Sequence, residues 1–298
     1  MGDSVSEAFK VWASLIDVCE LSTMSTVFDR YLQDVVPNKA KATQSSDIRA
    51  IGMLRPVFGS MPPCYIKPKH IYKYRDYRSQ NASTVASREL AVLSHVFTKA
   101  IEWGVLEIHP MTDKKVVKHS KKDRDRYIQD WELEEFLGHC SPLLFWYIQL
   151  KLLTGARKGA IALIRVDDIR SDGLYVTENK VNKKRVYSWN DELIDIIRQI
   201  LNLHEVKSEW LFCTKEGGCL YRDGVSPALS SAWRRAMKKA KDAGVLKESF
   251  TEHDIRAKAA SDATEDHALK LTGHTTRNTL RKIYRRKAEV IEPRRLKI

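Results

Sequence analysis

The sequence of 298 residues lacks any apolar run of the length that crosses a membrane. A spanning helix needs about 18 or more consecutive apolar residues. The N-terminus, MGDSVSEAFKVWASLIDVCE, also lacks the basic n-region with which a secretory signal peptide begins. We therefore expect no signal peptide and no membrane partner. Internal repeats and low-complexity tracts are absent as well.

Cysteine is scarce, odd in number and irregularly spaced, at Cys19, Cys64, Cys140, Cys213 and Cys219. This pattern argues against a disulfide framework and favours a reducing compartment. Cys213 and Cys219 flank TKEGG, which we interpret as a turn, and the chain has neither a CxxC pair nor a second ligand pair. A zinc site is therefore not expected. No carboxylate cluster suited to Mg²⁺ is evident, and we expect no cofactor.

Positive charge is in excess, with 51 Lys and Arg against 38 Asp and Glu and a formal net charge of +13. A surplus of this size favours polyanionic partners, chiefly nucleic acid or an anionic membrane. The alternative is a solvated basic surface without a partner. Hydrophobic residues make up 43% and charged residues 30%, as in a globular protein with a core, and the length allows two domains.

Residues from about 21 to 110 predict four short helices in a compact helical domain. The pattern STMSTVFDRYLQDVVP ends at Pro37 and offers as N-caps Ser22, Thr23 and Ser25. SSDIRAIGMLRPVFG follows, and KPKHIYKYRDYRSQ places Pro68 in a first turn. STVASRELAVLSHVFTKAIEWG ends at Gly104 and has a core-facing stripe formed by Val85, Leu90, Leu93, Val96, Phe97 and Ile101.

The next stretch, MTDKKVVKHSKKDRDR, holds seven Lys or Arg against three Asp, and we interpret it as a linker between domains. Two alternatives stay open for this linker: one is a segment that lies along a phosphate backbone, and the other is a solvated spacer.

From about Tyr127 the patterns predict a mixed domain. DWELEEFLGHC and PLLFWYIQLKLLTG are helical, and the second is apolar nearly all round, so we expect it to be buried. GLYVTENKVNKKRVYSW alternates on either side of a polar turn, as a hairpin does. NDELIDIIRQILNLH predicts a capped helix, SEWLFCT a third short strand, and residues 226–284 several helices.

The expected fold class is therefore mainly α with a small antiparallel β-sheet. We expect five segments along the chain: an N-terminal helix or remnant at 1–20, a compact helical domain at 21–110, a basic linker at 111–126, a mixed helix-and-strand domain at 127–288, and a basic tail at 289–298.

Two stretches place basic side chains in positions suited to phosphate chemistry. In LLTGARKGAIALIRVDDI, Arg157 follows the glycine that ends an apolar helix, and arginine offers a planar donor fork for two phosphate oxygens. In FTEHDIRAKAASDA, His253 and Arg256 are three residues apart, which puts both on one face of a helix. The alternative is a surface ion pair with Glu252 or Asp254.

TLRKIYRRK sets Tyr284 among basic residues, namely Arg281, Lys282, Arg285, Arg286 and Lys287. A phenol needs no basic neighbours to pack in a core, but one that attacks a phosphate does. Phenols titrate near pH 10 and are weak nucleophiles at neutral pH, and nearby cations favour the phenolate. Two further candidates are His274, after a glycine that we expect to cap a helix, and Lys180, near the hairpin tip where a lysine is usually solvated.

The order of these candidates resembles the tyrosine recombinase family, also called phage integrases. The resemblance covers most of the chain, and HDIRAKAASDA and LTGHTTRNTLRKIYRR are its most specific stretches. It implies that the domain at 21–110 is a core-type DNA-binding domain and that the domain at 127–288 is catalytic, in a site-specific recombinase that integrates or excises a genetic element. The pattern is most similar to phage or prophage integrases, which implies action on DNA in the cytoplasm of a bacterial host.

The resemblance implies a role for each residue. Tyr284 would form a 3′-phosphotyrosyl bond and free a 5′-hydroxyl, while Arg157 and Arg256 would hold the non-bridging oxygens of the scissile phosphate. Catalysis of this kind depends on positioning and electrostatic donors, without metal or ATP. The remaining roles concern protons and hydrogen bonds. Lys180 would protonate the departing 5′-oxygen, and His253 would accept a proton or orient the site. His274 would donate a hydrogen bond to a phosphate oxygen.

The sequence departs from the family pattern at Ala160, where an acidic residue usually stands three positions after the first arginine. That carboxylate is implied to support the site, so we expect a weakened or a compensated site, with Asp167 or Asp168 as candidate substitutes. A second departure is at the front. Many phage integrases carry a small arm-type DNA-binding domain, yet only about 20 residues precede STMSTVFDRYL, so this domain is absent or truncated.

Two domains joined by a basic linker would close around a duplex, mainly through phosphate contacts. Ser83 and Thr84 begin the fourth predicted helix, where backbone N–H groups hold phosphate, and Arg88 follows one turn later. The resemblance implies a C-terminal tail that docks on a neighbouring subunit, here through Val290, Ile291 and Leu296, in a homotetramer on two DNA sites. A tail held on DNA is the alternative, and DNA-bending accessory proteins are further candidate partners.

Two other functions stay open. The first is a DNA-binding protein of the same fold with weakened catalysis, which the alanine at position 160 favours. The second is a type IB topoisomerase, which shares the chemistry. The small helical first domain and the lack of long insertions argue against it.

Overall fold

The computed structural model describes residues 22–112, 124–178, 183–273 and 276–287. The chain divides after residue 122 into two compact units. Within the described ranges, no helix is both long and apolar enough to cross a membrane. Most of the described secondary structure is helical, and the strands form one small antiparallel sheet. The predicted fold class is thereby confirmed.

Helices build the described part of the first unit. They are α1 (Met24–Arg30), which continues through a π turn (Tyr31–Val35) and a 3₁₀ turn (Val36–Asn38), α2 (Lys41–Phe58) and α3 (Pro68–Glu102). Helix α1 begins where the sequence offers a cap, because the Thr23 hydroxyl accepts the N–H of Thr26. The apolar faces of the helices meet in a single core.

Helix α3 joins two predicted helices into one. It begins at Pro68 as expected, and its backbone leaves helical geometry only at Ala82, with φ −157° and ψ 64°. The helix after this break starts near the predicted position. The predicted stripe is wrong at Val85, which is 47% exposed. Directly after the break, the neighbouring Ala86 takes the buried place instead.

A carboxylate is buried on the inner face of α3. The Glu89 side chain is 3% exposed and lies 2.9 Å from an Nη2 donor of Arg78. The Tyr74 hydroxyl donates to its other oxygen at 2.7 Å. Buried carboxylates are stable only when charge and hydrogen bonds compensate the lost water. This group therefore ties together the two arms of α3 across Ala82.

We expect Glu89→Gln to destabilise the first unit, because the substitution removes a charged hydrogen-bond acceptor worth roughly 1.5–3 kcal/mol. Glu102→Gln is the matched control on the same helix, since Glu102 is 52% exposed and pairs with Lys99. An exposed pair of this kind contributes at most about 1 kcal/mol. Urea unfolding of both variants measures the difference. Equal midpoints for the two variants would contradict the role given to Glu89.

The second unit combines helices with a small sheet around a central buried helix, α5. The elements of this unit are α4 (Asp130–Gly138), α5 (Pro142–Thr154), α6 (Lys158–Ala162), β1 (Ile169–Arg170), β2 (Gly173–Glu178), β3 (Lys183–Tyr187), α7 (Asp191–Asn202), α8 (Pro227–Asp242), α9 (Glu252–Asp262), α10 (Glu265–Thr272) and α11 (Arg277–Ile283). Helix α5 packs against α6, α7, α8 and α9. Its sequence is apolar nearly all round because neighbours cover it on several sides.

The sheet has the order β1-β2-β3 and is antiparallel throughout. Strands β2 and β3 are the predicted hairpin, with Leu174 opposite Tyr187 and Glu178 opposite Lys183. The third strand is not where SEWLFCT predicted it, because β1 pairs with β2 instead. In the SEWLFCT stretch, Trp210 and Cys213 make only isolated bridges. Leu211 and Phe212 of this stretch are buried in the core of the unit, which explains the strand-like pattern.

Candidate active site

Arg256 lies at the centre of the second unit, on α9. Its side chain is fully buried, and its two terminal nitrogens donate hydrogen bonds to the carbonyls of Gly155 and Thr272. Gly155 caps α5 and Thr272 ends α10. The last carbonyls of a helix have no intrahelical donor and carry partial negative charge. One buried guanidinium therefore joins three helices.

Tyr284 lies beside Arg256 in the same unit. It is the C-terminal cap of α11, and it is 5% exposed. Its ring centroid is 5.4 Å from that of His253, and the Arg256 guanidinium carbon is also 5.4 Å from the tyrosine ring centroid. The fold thus brings together three of the predicted site residues, namely His253, Arg256 and Tyr284.

The backbone around Tyr284 is held to α9. The Ser261 hydroxyl donates to the Tyr284 carbonyl at 2.7 Å and accepts the N–H of Arg286 at 2.9 Å. The Arg286 side chain is 3% exposed and pairs with the buried carboxylate of Asp254 at 2.6 Å. Arg124 pairs with the same carboxylate at 2.7 Å. These contacts fix the position of the backbone at Tyr284, where helix α11 ends.

The surroundings of His253 lower the pKa of its imidazole. Its ring is partly exposed, yet surrounding protein atoms remove enough water that desolvation lowers its pKa. The positive charges of Arg286, Lys151 and Arg256 lower the pKa further, against the opposing charge of Asp254. The imidazole is therefore neutral at neutral pH, and a neutral ring has one nitrogen that accepts a proton.

Arg157 joins the site from the N-cap of α6. Its Nη1 donates to Oε2 of Glu178 at 2.6 Å. Glu178 ends strand β2 and its side chain is 1% exposed. Its other oxygen lies 3.6 Å from guanidinium nitrogens of Arg185 and of Arg256. A single carboxylate is thus surrounded by three arginines.

Glu178 and Arg185 are part of the site but were not among the residues predicted from the sequence. A signal for Glu178 existed, because it shares with Leu174 and Val176 the buried face of β2. A glutamate at an inward position of a predicted strand needs a cationic partner. No comparable local signal marked Arg185, whose Nη1 donates to the Leu271 carbonyl at 2.7 Å.

The arrangement of Arg185 requires a glycine at position 273. Its φ of +65° lies in the left-handed region, and it caps α10 as predicted. A Cβ at this position would lie 1.6 Å from Nη2 of Arg185. Glycine therefore both ends the helix and makes room for the arginine.

The alternative for the His253–Arg256 stretch, a surface ion pair with a neighbouring carboxylate, is wrong. Glu252 instead accepts the hydroxyl of Tyr147 and pairs with Lys151 at 3.0 Å and Lys158 at 2.7 Å. The Lys151 side chain is 3% exposed. These groups link α9 to α5 and α6 underneath the site, so the carboxylates beside His253 are structural.

Asp167 and Asp168 do not lie where a substitute for the missing acidic residue was expected. Asp167 is exposed, and an oxygen of Asp168 accepts the N–H of Arg165 at 2.9 Å. Short carboxylates often cap their own turn in this way. Neither therefore replaces the acidic residue that is missing at Ala160.

Two predicted site residues, Lys180 and His274, lie outside the described residues. So do the proposed tail anchors Val290, Ile291 and Leu296. In the ranges that the structure does describe, no group of three or more His, Cys, Asp or Glu side chains is arranged to hold a metal ion.

The predicted DNA contacts lie together in the first unit. Ser83, Thr84 and Arg88 are all exposed on α3 directly after its break at Ala82. Arg88 also lines a shallow groove with Arg49 from α2. The groove therefore presents basic side chains from both α2 and α3.

The model of the phage integrase family matches residues 126–290. This span is more than half of the chain and contains the arginines, the histidine and the tyrosine described above. The chain belongs to the phage integrase family, the tyrosine-type site-specific recombinases. Among curated protein sequences, no match was found.

Solved structures share the fold of this integrase-family chain. A lambda integrase(75-356) dimer bound to a COC′ core site has a TM-score of 0.76 at 22% identity, over 92% of this chain and 100% of that one. A lambda integrase tetramer bound to a Holliday junction has a TM-score of 0.75 at 19% identity, over 92% and 80%. The Tn1549 transposon integrase (residues 82–397) with circular intermediate DNA has a TM-score of 0.68 at 14% identity, over 90% and 96%.

We expect Asp254→Asn to destabilise the second unit by about 3–5 kcal/mol at pH 7, because it leaves the buried Arg286 without its counter-charge. Asp195→Asn is the matched control, since Asp195 is 68% exposed and pairs with Arg198. Such a pair is worth at most about 1 kcal/mol. Urea unfolding measures both variants. An Asp254 variant as stable as the parent would contradict the role of this pair.

The same carboxylate predicts a loss of stability in acid. Burial opposes the ionisation of Asp254, but hydrogen bonds from Arg124, Thr251 and Arg286 outweigh it, so its pKa is below the usual value. A group whose pKa is lowered on folding stabilises the fold above its unfolded pKa, about 4, and loses this effect as pH falls through the folded value. Unfolding of the parent should become easier below about pH 4, and the decline should be shallower in the Asp254 variant.

Proposed function

We propose that this chain cleaves and rejoins DNA strands at a specific site through a covalent 3′-phosphotyrosyl intermediate. The observation that supports this reaction is the position of Tyr284, whose ring lies beside His253 and Arg256 within one unit. A phenol next to a buried guanidinium and a neutral imidazole has the partners that phosphoryl transfer needs. The family to which the chain belongs supports the same reaction.

The proposed step balances without a cofactor. The Tyr284 oxygen forms a bond to phosphorus, the bond from phosphorus to the 5′-oxygen breaks, and the 5′-oxygen gains a proton. The tyrosine proton passes to His253, and Arg157 and Arg256 stabilise the charge on the non-bridging oxygens. Because the phosphodiester is exchanged and not hydrolysed, a 5′-hydroxyl of another strand reverses the step. Lys180 as general acid and His274 as hydrogen-bond donor complete the proposed set.

DNA binding is assigned to both units. The net charge of +13 supports a polyanionic partner, and Ser83, Thr84 and Arg88 present donors on the exposed face of α3. The similar integrase structures hold core-site or circular-intermediate DNA, and one is a tetramer on a Holliday junction. By analogy, our proposal includes a homotetramer on two attachment sites, integration or excision of a prophage in the bacterial cytoplasm, and DNA-bending accessory proteins.

We expect the parent protein to form a covalent adduct with a duplex from the DNA that flanks its gene, nicked near the cleavage point. The nick traps the intermediate because the short fragment carrying the 5′-hydroxyl diffuses away. Denaturing electrophoresis should show the adduct with the parent and none with Tyr284→Phe, which keeps the ring and lacks the attacking oxygen.

Other outcomes of this assay separate the alternatives. Tight binding of the duplex without an adduct would overturn the recombinase reaction and favour a DNA-binding protein with lost catalysis. Relaxation of a supercoiled plasmid that lacks the flanking sequence would favour a topoisomerase.

We expect Arg88→Ala to weaken DNA binding for all sequences and to reduce the salt dependence of binding. Loss of one phosphate contact lowers the slope of log K against log salt concentration by about 0.9. Arg198→Ala is the control, because Arg198 is exposed in the second unit and already pairs with Asp195. Titrations at several salt concentrations measure both slopes. An unchanged slope in the Arg88 variant would remove this residue from the interface.

A further inference from the structure

The carboxylate of Glu178 is the only acidic group among the described residues that ion-pairs with Arg157, and it also faces Arg185 and Arg256. Its side chain is 1% exposed, and one of its oxygens has no hydrogen bond within the part of the chain that the structure describes. Burial of this depth is costly for a carboxylate unless neighbouring cations compensate it. Three guanidinium groups supply that compensation.

The carboxylate is ionised in this environment. Burial opposes its ionisation, but the hydrogen bond and charge of Arg157 and the charges of Arg256 and Arg185 outweigh burial, so the pKa of Glu178 lies below its usual value. The three arginines therefore surround a permanent negative charge at neutral pH. Two positive charges remain in excess for an incoming phosphate.

The three arginines differ in what else holds them. Arg256 is anchored by two backbone carbonyls, and Arg185 by the carbonyl of Leu271. The Arg157 side chain is 32% exposed, and its described ion pair is the one with Glu178. A guanidinium has five N–H donors, and Glu178 takes one from Arg157. No other side-chain hydrogen bond of Arg157 is found within the described ranges, so its remaining donors can serve phosphate oxygens.

The sequence lacks an acidic residue at position 160, on helix α6. Helix α6 packs against strand β2, which bears Glu178. Ala160 is itself buried, at 3% exposed. Glu178 thus lies on a strand that contacts α6, the helix on which the acidic residue is missing.

We propose that Glu178 is the positioning carboxylate of this site, and that from strand β2 it does for Arg157 and Arg256 what an acidic side chain at position 160 would otherwise do. The proposal rests on the proposed function. Glu178 touches neither the phosphate nor the tyrosine oxygen in this role. It acts through the arginines, by fixing the planes of their guanidinium groups and by reducing their mutual repulsion.

The test is the rate of covalent adduct formation on the nicked duplex in a single turnover, measured together with the Kd of the uncut duplex. We expect Glu178→Gln to slow adduct formation about 100-fold, because misplacement of a catalytic group by about 1 Å has effects of this size. The Kd should change less than about threefold. Glu209→Gln is the matched control, since Glu209 is 55% exposed and pairs with Arg165.

Rescue distinguishes positioning from a general effect on folding. The double variant Ala160→Asp with Glu178→Gln should recover at least tenfold of the lost rate, because it returns a carboxylate to the arginines from α6. A Glu178→Gln variant as fast as the parent would overturn the proposal. So would a double variant no faster than Glu178→Gln alone.

Ala160→Asp in the parent background keeps the proposal testable if Glu178→Gln does not fold. With Glu178 already in place, we expect this single variant to be no faster than the parent. Acceleration of tenfold or more would show that the parent site lacks a positioning carboxylate and would overturn the proposal. Absence of any adduct from the parent is a different result, because it overturns the proposed function itself.

Discussion

The architecture of the second unit depends on one buried guanidinium. Arg256 lies within α9 and donates to carbonyls at the ends of α5 and α10, so two helix termini converge on it. Each of those termini needs a donor, and a cation there also opposes the negative end of the helix dipole, worth up to about 2 kcal/mol in partly buried positions. The same side chain brings the site together. Stability and chemistry thus draw on one residue.

Electrostatic compensation explains the arrangement of the surrounding residues. Three buried or half-buried carboxylates compensate cations near the site: Glu252 for Lys151, Asp254 for Arg286, and Glu178 for the arginines around it. The first two carboxylates are shared among structural partners. Glu178 differs because its partners are the groups with a proposed role in phosphate binding, which connects strand β2 to catalysis. The Ser261 hydroxyl and the ion pair of Arg286 with Asp254 hold the backbone at Tyr284 against α9, so this helix sets the position of the tyrosine.

Sequence patterns predicted the elements well where one periodicity dominated. Helix α5 is apolar all round and is buried, and the hairpin of β2 and β3 shows its alternation directly. Prediction was wrong where tertiary contacts outweighed local pattern. SEWLFCT has the composition of a strand, but its Leu211 and Phe212 are buried in the core while β1 takes the edge position beside β2. Val85 has helical spacing with the core residues, yet the break at Ala82 rotates it outward.

The sequence by itself determined the kinds of residue available for chemistry: an arginine after a helix-ending glycine, a histidine and an arginine on one helical face, and a tyrosine among cations. Their chemistry is local and can be read from residue type and spacing. Only the tertiary structure decided which carboxylate serves which cation. Asp167 and Asp168 are close to Arg157 in sequence, whereas Glu178 is farther along the chain and is the one in contact. Ion pairs depend on distances across the fold, and sequence separation does not give those distances.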